Sequence, residues 1–247
     1  MISVFIFIYG LVLGSFFNVV GLRVPMKESI VSPPSHCPNC QTNLRAIDLI
    51  PVVSYIFQRG KCRYCKTHIP LMYPFFEILT ALLFFIGFQM YGLTSMFLLF
   101  SLVVSLLIII TISDLAYKLI PDKVLLLFLC VFLINQTIFQ PITWSDCLLG
   151  FFVSFIVLYV IAVLSKGGMG GGDIKLFGVL GIVLGWQGFI ITFLFASFLG
   201  AIYGIVGKII SHGQLKEIAF GPFIAIGTII TFLWKEPLID WYLGLIY

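Results

Sequence analysis

Long runs of apolar residues alternate with short polar breaks along most of this chain. A helix needs about 20 predominantly apolar residues to cross the hydrocarbon of a bilayer, and most of these runs approach that length. We therefore predict eight membrane-spanning helices, with one long polar interruption after the first. The predicted helices cover residues 2–21, 72–90, 94–112, 122–140, 146–164, 174–187, 189–209 and 218–234.

Composition supports a membrane protein, because 61% of the residues are hydrophobic and only 10% are charged. Soluble domains are far more polar. The first apolar run contains no Lys or Arg and is followed by no small-residue cleavage site, so we predict a retained helix and no cleaved signal peptide. The predicted fold class is an all-α polytopic membrane protein. Its expected domains are a first helix (1–22), a cytoplasmic insert (23–71) and a seven-helix membrane domain (72–247).

The distribution of positive charge predicts the orientation in the membrane. Seven of the fourteen Lys and Arg residues lie between Arg23 and Lys66. If this insert is cytoplasmic, Lys175 and Lys216 also fall inside, and Lys235 is the one basic residue outside. Cytoplasmic loops carry such an excess of Lys and Arg. The basic residues therefore need no nucleic-acid partner, and the bilayer itself is the expected surrounding.

The insert contains two Cys-x-x-Cys pairs, Cys37 with Cys40 and Cys62 with Cys65. Four thiolates at this spacing satisfy tetrahedral zinc and can organise a small domain that lacks its own core. Disulfides are the alternative, but they are uncommon in the reducing cytoplasm. A thioredoxin-like redox motif is disfavoured because no βαβ pattern surrounds the cysteines. We predict a structural zinc site.

A glycine-rich stretch, Gly170–Gly172, precedes Asp173. Glycine lets the backbone turn sharply and approach another chain closely, and an acidic residue at membrane depth usually marks a functional site. Asp173 is therefore a candidate catalytic residue, although Asp also caps helices well. Lys175 follows two residues later, and it either tunes the site or marks the cytoplasmic interface.

A second acidic candidate, Asp114, follows the apolar run of the third predicted helix. Two carboxyl groups brought together can hydrolyse a peptide, because one, ionised, takes a proton from water and the other, protonated, polarises the scissile carbonyl. Asp114 and Asp173 can fill these roles, in either order. Asp122 follows Pro121 and is expected to cap the next helix.

Glu77 is a carboxylate at the start of the second predicted helix. It either faces the positive end of that helix or binds a cationic group or cofactor. The two interpretations remain open at this point.

Six motifs in this order resemble the type IV prepilin peptidases. They are GSFFNVVGLRVP (14–25), the paired cysteines, YPFFE (73–77), ISDLAYKLIPD (112–122), GMGGGDIKL (168–176) and FGPFIAIG (220–227). Together they cover nearly the whole chain. The compact length looks most similar to the competence-type enzymes of Gram-positive bacteria.

The resemblance implies that Asp114 and Asp173 are the catalytic aspartates of a membrane aspartic endopeptidase. Gly170–Asp173 would then be the GxGD element that the family shares with presenilin-type proteases. The family cleaves the basic leader of prepilins or pilin-like proteins after a Gly, at the cytoplasmic face of the bacterial inner membrane. Many members then methylate the new N-terminal residue with S-adenosylmethionine. Glu77, Gly14 and the four cysteines match positions associated with the methyltransferase region.

One departure from the family pattern and one missing motif bear on these expectations. Ala116 occupies a position where many relatives carry a second acidic residue, and the insert has no glycine-rich nucleotide loop of the Rossmann kind. Two other functional classes stay open: a transporter or channel with intramembrane carboxyls, and a non-catalytic pilus or secretion assembly protein. Neither class predicts that aspartate substitutions affect leader processing.

Overall fold

The computed structural model describes residues 1–166, 168–210 and 218–246. Predictions that concern Lys216 lie outside this range. The described residues form eight α-helices and one short 3₁₀ turn at Ala46–Leu49. The helices are α1 (Ile2–Arg23), α2 (Val53–Phe57), α3 (Met72–Tyr91), α4 (Ser95–Tyr117), α5 (Asp122–Phe139), α6 (Trp144–Leu164), α7 (Gly171–Ile210) and α8 (Gly221–Ile246).

Seven of these helices, all except α2, contain stretches long and apolar enough to cross a membrane. Within the described residues, β-type backbone pairing is limited to two isolated bridges in the insert, His36 with Asn43 and Lys61 with His68. The predicted all-α class with a cysteine-rich insert between the first two spanning helices is therefore confirmed.

The helix α7 accounts for two of the predicted helices. Its 40 residues would extend about 60 Å if straight, about twice the hydrocarbon thickness. Gly185 interrupts it with φ 71° and ψ 178°, a conformation open almost to glycine alone. The rings of Phe177 and Phe193 lie 6.0 Å apart, whereas a straight helix would separate these residues by about 24 Å. The chain therefore folds back at Gly185 into two legs.

All eight predicted apolar segments thus form helix, but several boundaries differ. The break in α7 lies at Gly185 and not within residues 186–188. The helix α4 continues to Tyr117, so Asp114 lies in its last turns and not after its end. The helix α8 extends well past its predicted end at residue 234, where the backbone of Trp234 departs from helical geometry.

The chain divides into two compact units, Met1–Ile112 and Ser113–Tyr247. In the first unit, α1 packs along α3. Gly14 lies so close to this helix that a Cβ on it would be 2.7 Å from the Cα of Glu77. Nearby, the amide of Asn18 donates to the carbonyl oxygen of Tyr73 at 3.2 Å. Close backbone contact at small residues is the usual way in which membrane helices associate.

In the second unit, α7 packs against α5, α6 and α8. Its second leg runs beside α8, where the hydroxyls of Thr192 and Thr231 lie 2.9 Å apart. Near the fold-back, the ammonium of Lys235 donates to the carbonyl oxygen of Leu184 at 3.3 Å. These contacts place the start of α8 and the start of α7 at the same end of the unit.

Candidate active site

Asp114 lies near the end of α4 and is 6% exposed. Its Oδ2 accepts a hydrogen bond from the backbone N–H of Gly221 at 2.7 Å. Gly221 is the first residue of α8, and the N–H groups at a helix start are free of intrahelical partners and favour negative charge. A Cβ at Gly221 would lie 2.8 Å from the same Oδ2. A residue without a side chain is therefore needed for this contact.

Asp173 is the third residue of α7. Its backbone N–H donates to the carbonyl oxygen of Gly170 at 3.1 Å, and its carboxylate accepts a backbone hydrogen bond from Gly170 in return. This reciprocal arrangement is half of a capping box. Asp173 is therefore not the N-cap residue that the sequence suggested; it lies inside the helix, and its carboxylate binds back to Gly170, the residue before α7.

The carboxyl groups of Asp114 and Asp173 interact electrostatically. Each uses an oxygen to accept a backbone N–H at the start of a helix, α8 for Asp114 and α7 for Asp173. Two carboxyl groups within range of each other, each fixed by the backbone, can work as an acid and a base.

The connection between α4 and α5 is tightly folded. The backbone N–H of Lys118 donates to the carbonyl oxygen of Asp114 at 2.8 Å, and Lys118 adopts φ 54°. Such a residue ends a helix by satisfying a free carbonyl. The hydroxyl of Ser113 donates to the carbonyl oxygen of Leu119. These contacts hold Asp114 in its position at the end of α4.

The expected cap at Asp122 is not what the structure shows. Pro121 takes the N-cap position of α5, and no side-chain hydrogen bond is recorded for that cap. The carboxylate of Asp122 instead accepts two hydrogen bonds from the ammonium of Lys175, at 2.8 and 2.9 Å. Both side chains are more than half exposed. Lys175 therefore contacts α5, in addition to lying near the helix start.

The four cysteines of the insert form one cluster whose Sγ atoms all lie within 4.8 Å of one another. The Sγ atoms of Cys37 and Cys65 are 3.7 Å apart, close to the roughly 3.8 Å between thiolates on a tetrahedral zinc with Zn–S bonds of about 2.3 Å. The cluster therefore has the donor set and the spacing to hold a metal ion such as zinc.

Both cysteine loops have the same backbone fold. The N–H of Gln41 donates to the carbonyl oxygen of Cys37 at 2.8 Å, and the N–H of Lys66 donates to that of Cys62 at 3.0 Å. Gln41 and Lys66 both adopt positive φ, 56° and 61°. The repeated Cys-x-x-Cys-x-Thr pattern is a sequence signal for this duplication that the spacing of the cysteines alone does not give.

Two threonines in these loops favour the thiolate form, which is the metal-binding form of cysteine. The side chain of Thr67 is the largest influence lowering the pKa of Cys65 to about 5. In the equivalent loop, the side chain of Thr42 lowers the pKa of Cys40.

Glu77 lies past the first turn of α3 and is 7% exposed. Its Oε2 accepts a hydrogen bond from the backbone N–H of Val52 at 2.7 Å, so it does not face the start of its own helix. Val52 adopts φ 60° and immediately precedes α2. Gly14 is covered by α3 at this level. Glu77 therefore ties the insert to a membrane helix, with Gly14 packed behind it.

Sequence comparisons match both units to described families. Residues 8–91 match the bacterial peptidase A24 N-terminal domain, and residues 101–205 match the type IV leader peptidase family. A prepilin leader peptidase/N-methyltransferase of Bacillus subtilis is 39% identical over 245 residues, which cover 98% of each chain. This chain belongs to the type IV leader peptidase family.

Other relatives in the family support the same assignment. A prepilin leader peptidase/N-methyltransferase of Legionella pneumophila is 30% identical, over 96% of this chain and 93% of its own. A type 4 prepilin-like proteins leader peptide-processing enzyme of Escherichia coli is 33% identical over 90% of each. No solved structure matches the chain.

The two family matches divide the candidate residues between them. The N-terminal match contains the four cysteines and Glu77, and the leader peptidase match contains Asp114, Asp122, Asp173 and Lys175. Gly221 lies beyond both matched ranges. Its hydrogen bond to Asp114 spans 107 residues of sequence. Gly221 lies within the motif FGPFIAIG (220–227), but nothing in the sequence indicates that it is a partner of Asp114.

Proposed function

We propose that this chain cleaves the basic leader of prepilins or pilin-like proteins after a Gly, with Asp114 and Asp173 as its catalytic residues. The observation that carries the proposal is the electrostatic interaction of two backbone-anchored carboxyl groups in a member of the leader peptidase family. The transporter and assembly alternatives are not favoured, because the relatives are named as leader peptidases.

The proposed reaction is general acid–base hydrolysis. The ionised aspartate takes a proton from water as the water oxygen attacks the scissile carbonyl carbon. The protonated aspartate hydrogen-bonds the carbonyl oxygen and then gives up its proton to that oxygen. When the C–N bond breaks, the amine of the mature pilin receives a proton from the aspartate that had accepted one from water, and the other aspartate takes back the proton of one hydroxyl as the C=O bond re-forms. The pair titrates as one unit, so either residue fits either role.

The substrate is expected to enter from the lipid with its leader at the cytoplasmic face of the bacterial membrane. The positive-inside distribution supports this orientation. Gly171 leaves room for an extended substrate backbone beside Asp173, because a Cβ there would meet no other atom within 4 Å, whereas Gly170 and Gly172 are packed against Asp173 and Ile120. Gly171 is thus the point at which the chain offers open space next to the candidate dyad.

We further propose that the N-terminal region transfers a methyl group to the new N-terminal amine. S-adenosylmethionine would supply the electrophilic methyl group. The Glu77 carboxylate, which accepts the backbone N–H of Val52 at Oε2 and is also hydrogen-bonded by the side chain of Ser15, would attract the cationic donor. Gly14 is covered by α3, so its proposed contribution is packing that positions Glu77 and not direct contact with the donor. Zinc at the four cysteines would close the two loops of the insert.

The test uses purified wild type, Asp114→Asn and Asp173→Asn with a pilin-like precursor, and it reads product mass with and without S-adenosylmethionine. Wild type is expected to remove the leader and, with the donor present, to add one methyl mass. Each Asn variant is expected to leave the precursor intact while inserting and folding normally. Leader removal by either variant at the wild-type rate would overturn the dyad.

A further inference from the structure

The start of α7 carries two charged residues, Asp173 and Lys175, that have different partners. Asp173 interacts electrostatically with Asp114, whereas Lys175 binds Asp122 through both carboxylate oxygens. Successive residues of a helix are rotated by about 100° about its axis, so positions 173 and 175 lie about 200° apart. Lys175 therefore faces away from Asp173, and its charge is engaged elsewhere.

The partners of Asp173 and Lys175 lie at the two ends of the short connection between α4 and α5. Asp114 lies at the end of α4 and Asp122 at the start of α5. Between them, Ile120 contacts the same turn of α7, because a Cβ on Gly172 would lie 2.9 Å from the Cβ of Ile120. The connection thus meets α7 at three neighbouring positions, and two of these contacts lie on opposite sides of the helix.

We propose that the Asp122–Lys175 ion pair is a positioning device, which sets the rotation of the first turn of α7 so that Asp173 faces Asp114. One contact fixes where a helix lies, but two contacts on opposite sides also fix how far it is turned about its axis. The proposal rests on the proposed function, since it assigns a role in presenting Asp173 for leader cleavage. Lys175 and Asp122 are positioning residues, because they act through the orientation of α7.

The exposure of the pair argues against a mainly stabilising role. The side chains are 52% and 70% exposed, and exposed ion pairs contribute little to stability. A weak ion pair can still affect catalysis, because small displacements of a reacting group lower its rate strongly. We therefore expect an effect on kcat that exceeds the effect on folding.

The experiment is a double-mutant cycle on leader cleavage with wild type, Asp122→Asn, Lys175→Gln and the double variant. Each single substitution is expected to lower kcat about fivefold, the change that about 1 kcal/mol corresponds to, with KM within about twofold. The double variant should be no slower than either single variant, because the second substitution removes a contact that is already broken. Lys175→Arg, which can still bind Asp122 through two N–H groups, should stay close to wild type.

The matched control is Lys123→Gln, which removes one positive charge from an exposed position next to Asp122 and should leave kcat unchanged. Single variants with wild-type kcat would overturn the proposal. Losses that multiply in the double variant would also overturn it, because they would show independent roles for the two residues.

Thermal unfolding of the same four proteins separates this proposal from the proposed function. Losses in unfolding temperature that do not add in the double variant report the ion pair whether or not a precursor is cleaved. A folded wild type that shows this coupling but cleaves no pilin-like precursor would contradict the proposed function, and the positioning role would fall with it.

Discussion

Glu77 and Asp114 are equally well buried carboxylates, but their surroundings differ in kind. Glu77 accepts the N–H of Val52, a single residue that precedes the short helix α2. Asp114 accepts the N–H of Gly221, which begins the long helix α8, and it interacts with a second carboxyl, Asp173. Burial alone therefore does not distinguish Glu77 from Asp114, the proposed catalytic residue. The difference between them is the second acidic group, Asp173, within electrostatic range of Asp114.

The difference between the two sites can be tested most directly by neutralising a carboxylate at each of them in turn. Asp173→Asn is expected to lower leader cleavage by about 10³-fold or more, because it removes an acid–base group. Glu77→Gln keeps an oxygen for the N–H of Val52 and should leave cleavage within about threefold of wild type while methyl transfer falls. Product masses measured with S-adenosylmethionine present report both reactions. Loss of cleavage in a folded Glu77→Gln protein would contradict the division of roles.

A second test concerns the helix start that holds Asp114. Gly221→Ala is expected to lower cleavage by about 100-fold, the scale of losing one oriented donor in an active site, because the new Cβ would lie 2.8 Å from Oδ2. The control is Gly204→Ala in α7, where the nearest atom to a new Cβ is 3.5 Å away. Initial cleavage rates of the two variants are compared with wild type. Equal rates for both variants would show that the Gly221 contact is dispensable.

The hydrogen bonds from Gly221 to Asp114 and from Val52 to Glu77 also show what the sequence could and could not predict. The long apolar runs predicted every spanning segment, and acidic residues at the ends of such runs pointed to Asp114 and Asp173. The partners of the carboxylates were not predicted. Gly221 is 107 residues from Asp114 and Val52 is 25 residues from Glu77. Nothing in the local pattern around a carboxylate specifies which distant N–H will meet it.

Local sequence also failed to predict the partner of Asp122 and the position of the break in α7. A residue after Pro at a helix start suits a cap, but Lys175 offered Asp122 a stronger, charged partner on another helix. In α7, Gly181, Gly185 and Gly188 are all local candidates for a break. Only tertiary packing decides which of them takes positive φ, and the structure selects Gly185.

The cysteine cluster allows a third test, in which the cysteine-rich insert is destabilised while Asp114 and Asp173 are left unchanged. Chelation of the bound metal, or Cys62→Ser, is expected to make the insert sensitive to protease, because structural metal sites supply the folding energy of small domains. The cleavage rate should fall by about tenfold at most, since Asp114 and Asp173 belong to the second compact unit and not to the one that contains the insert. The matched control is Cys147→Ser, a cysteine outside the cluster. An insert that remains protease-resistant after chelation would contradict a structural metal.

The last test has the smallest expected effect and concerns the fold-back of α7, which brings the second leg of that helix beside the first. Gly185→Ala places a Cβ on a residue at φ 71° and ψ 178°, a conformation that costs other residues about 1–3 kcal/mol. The unfolding temperature should fall by roughly 3–10 °C. A Cβ at this position would have no neighbour closer than 3.7 Å, so backbone conformation and not crowding would cause the loss. Gly178→Ala is a suitable control, because its nearest contact is 3.5 Å and its φ is not positive. Equal unfolding temperatures for the two variants would mean that the chain reverses without a glycine-specific conformation at residue 185.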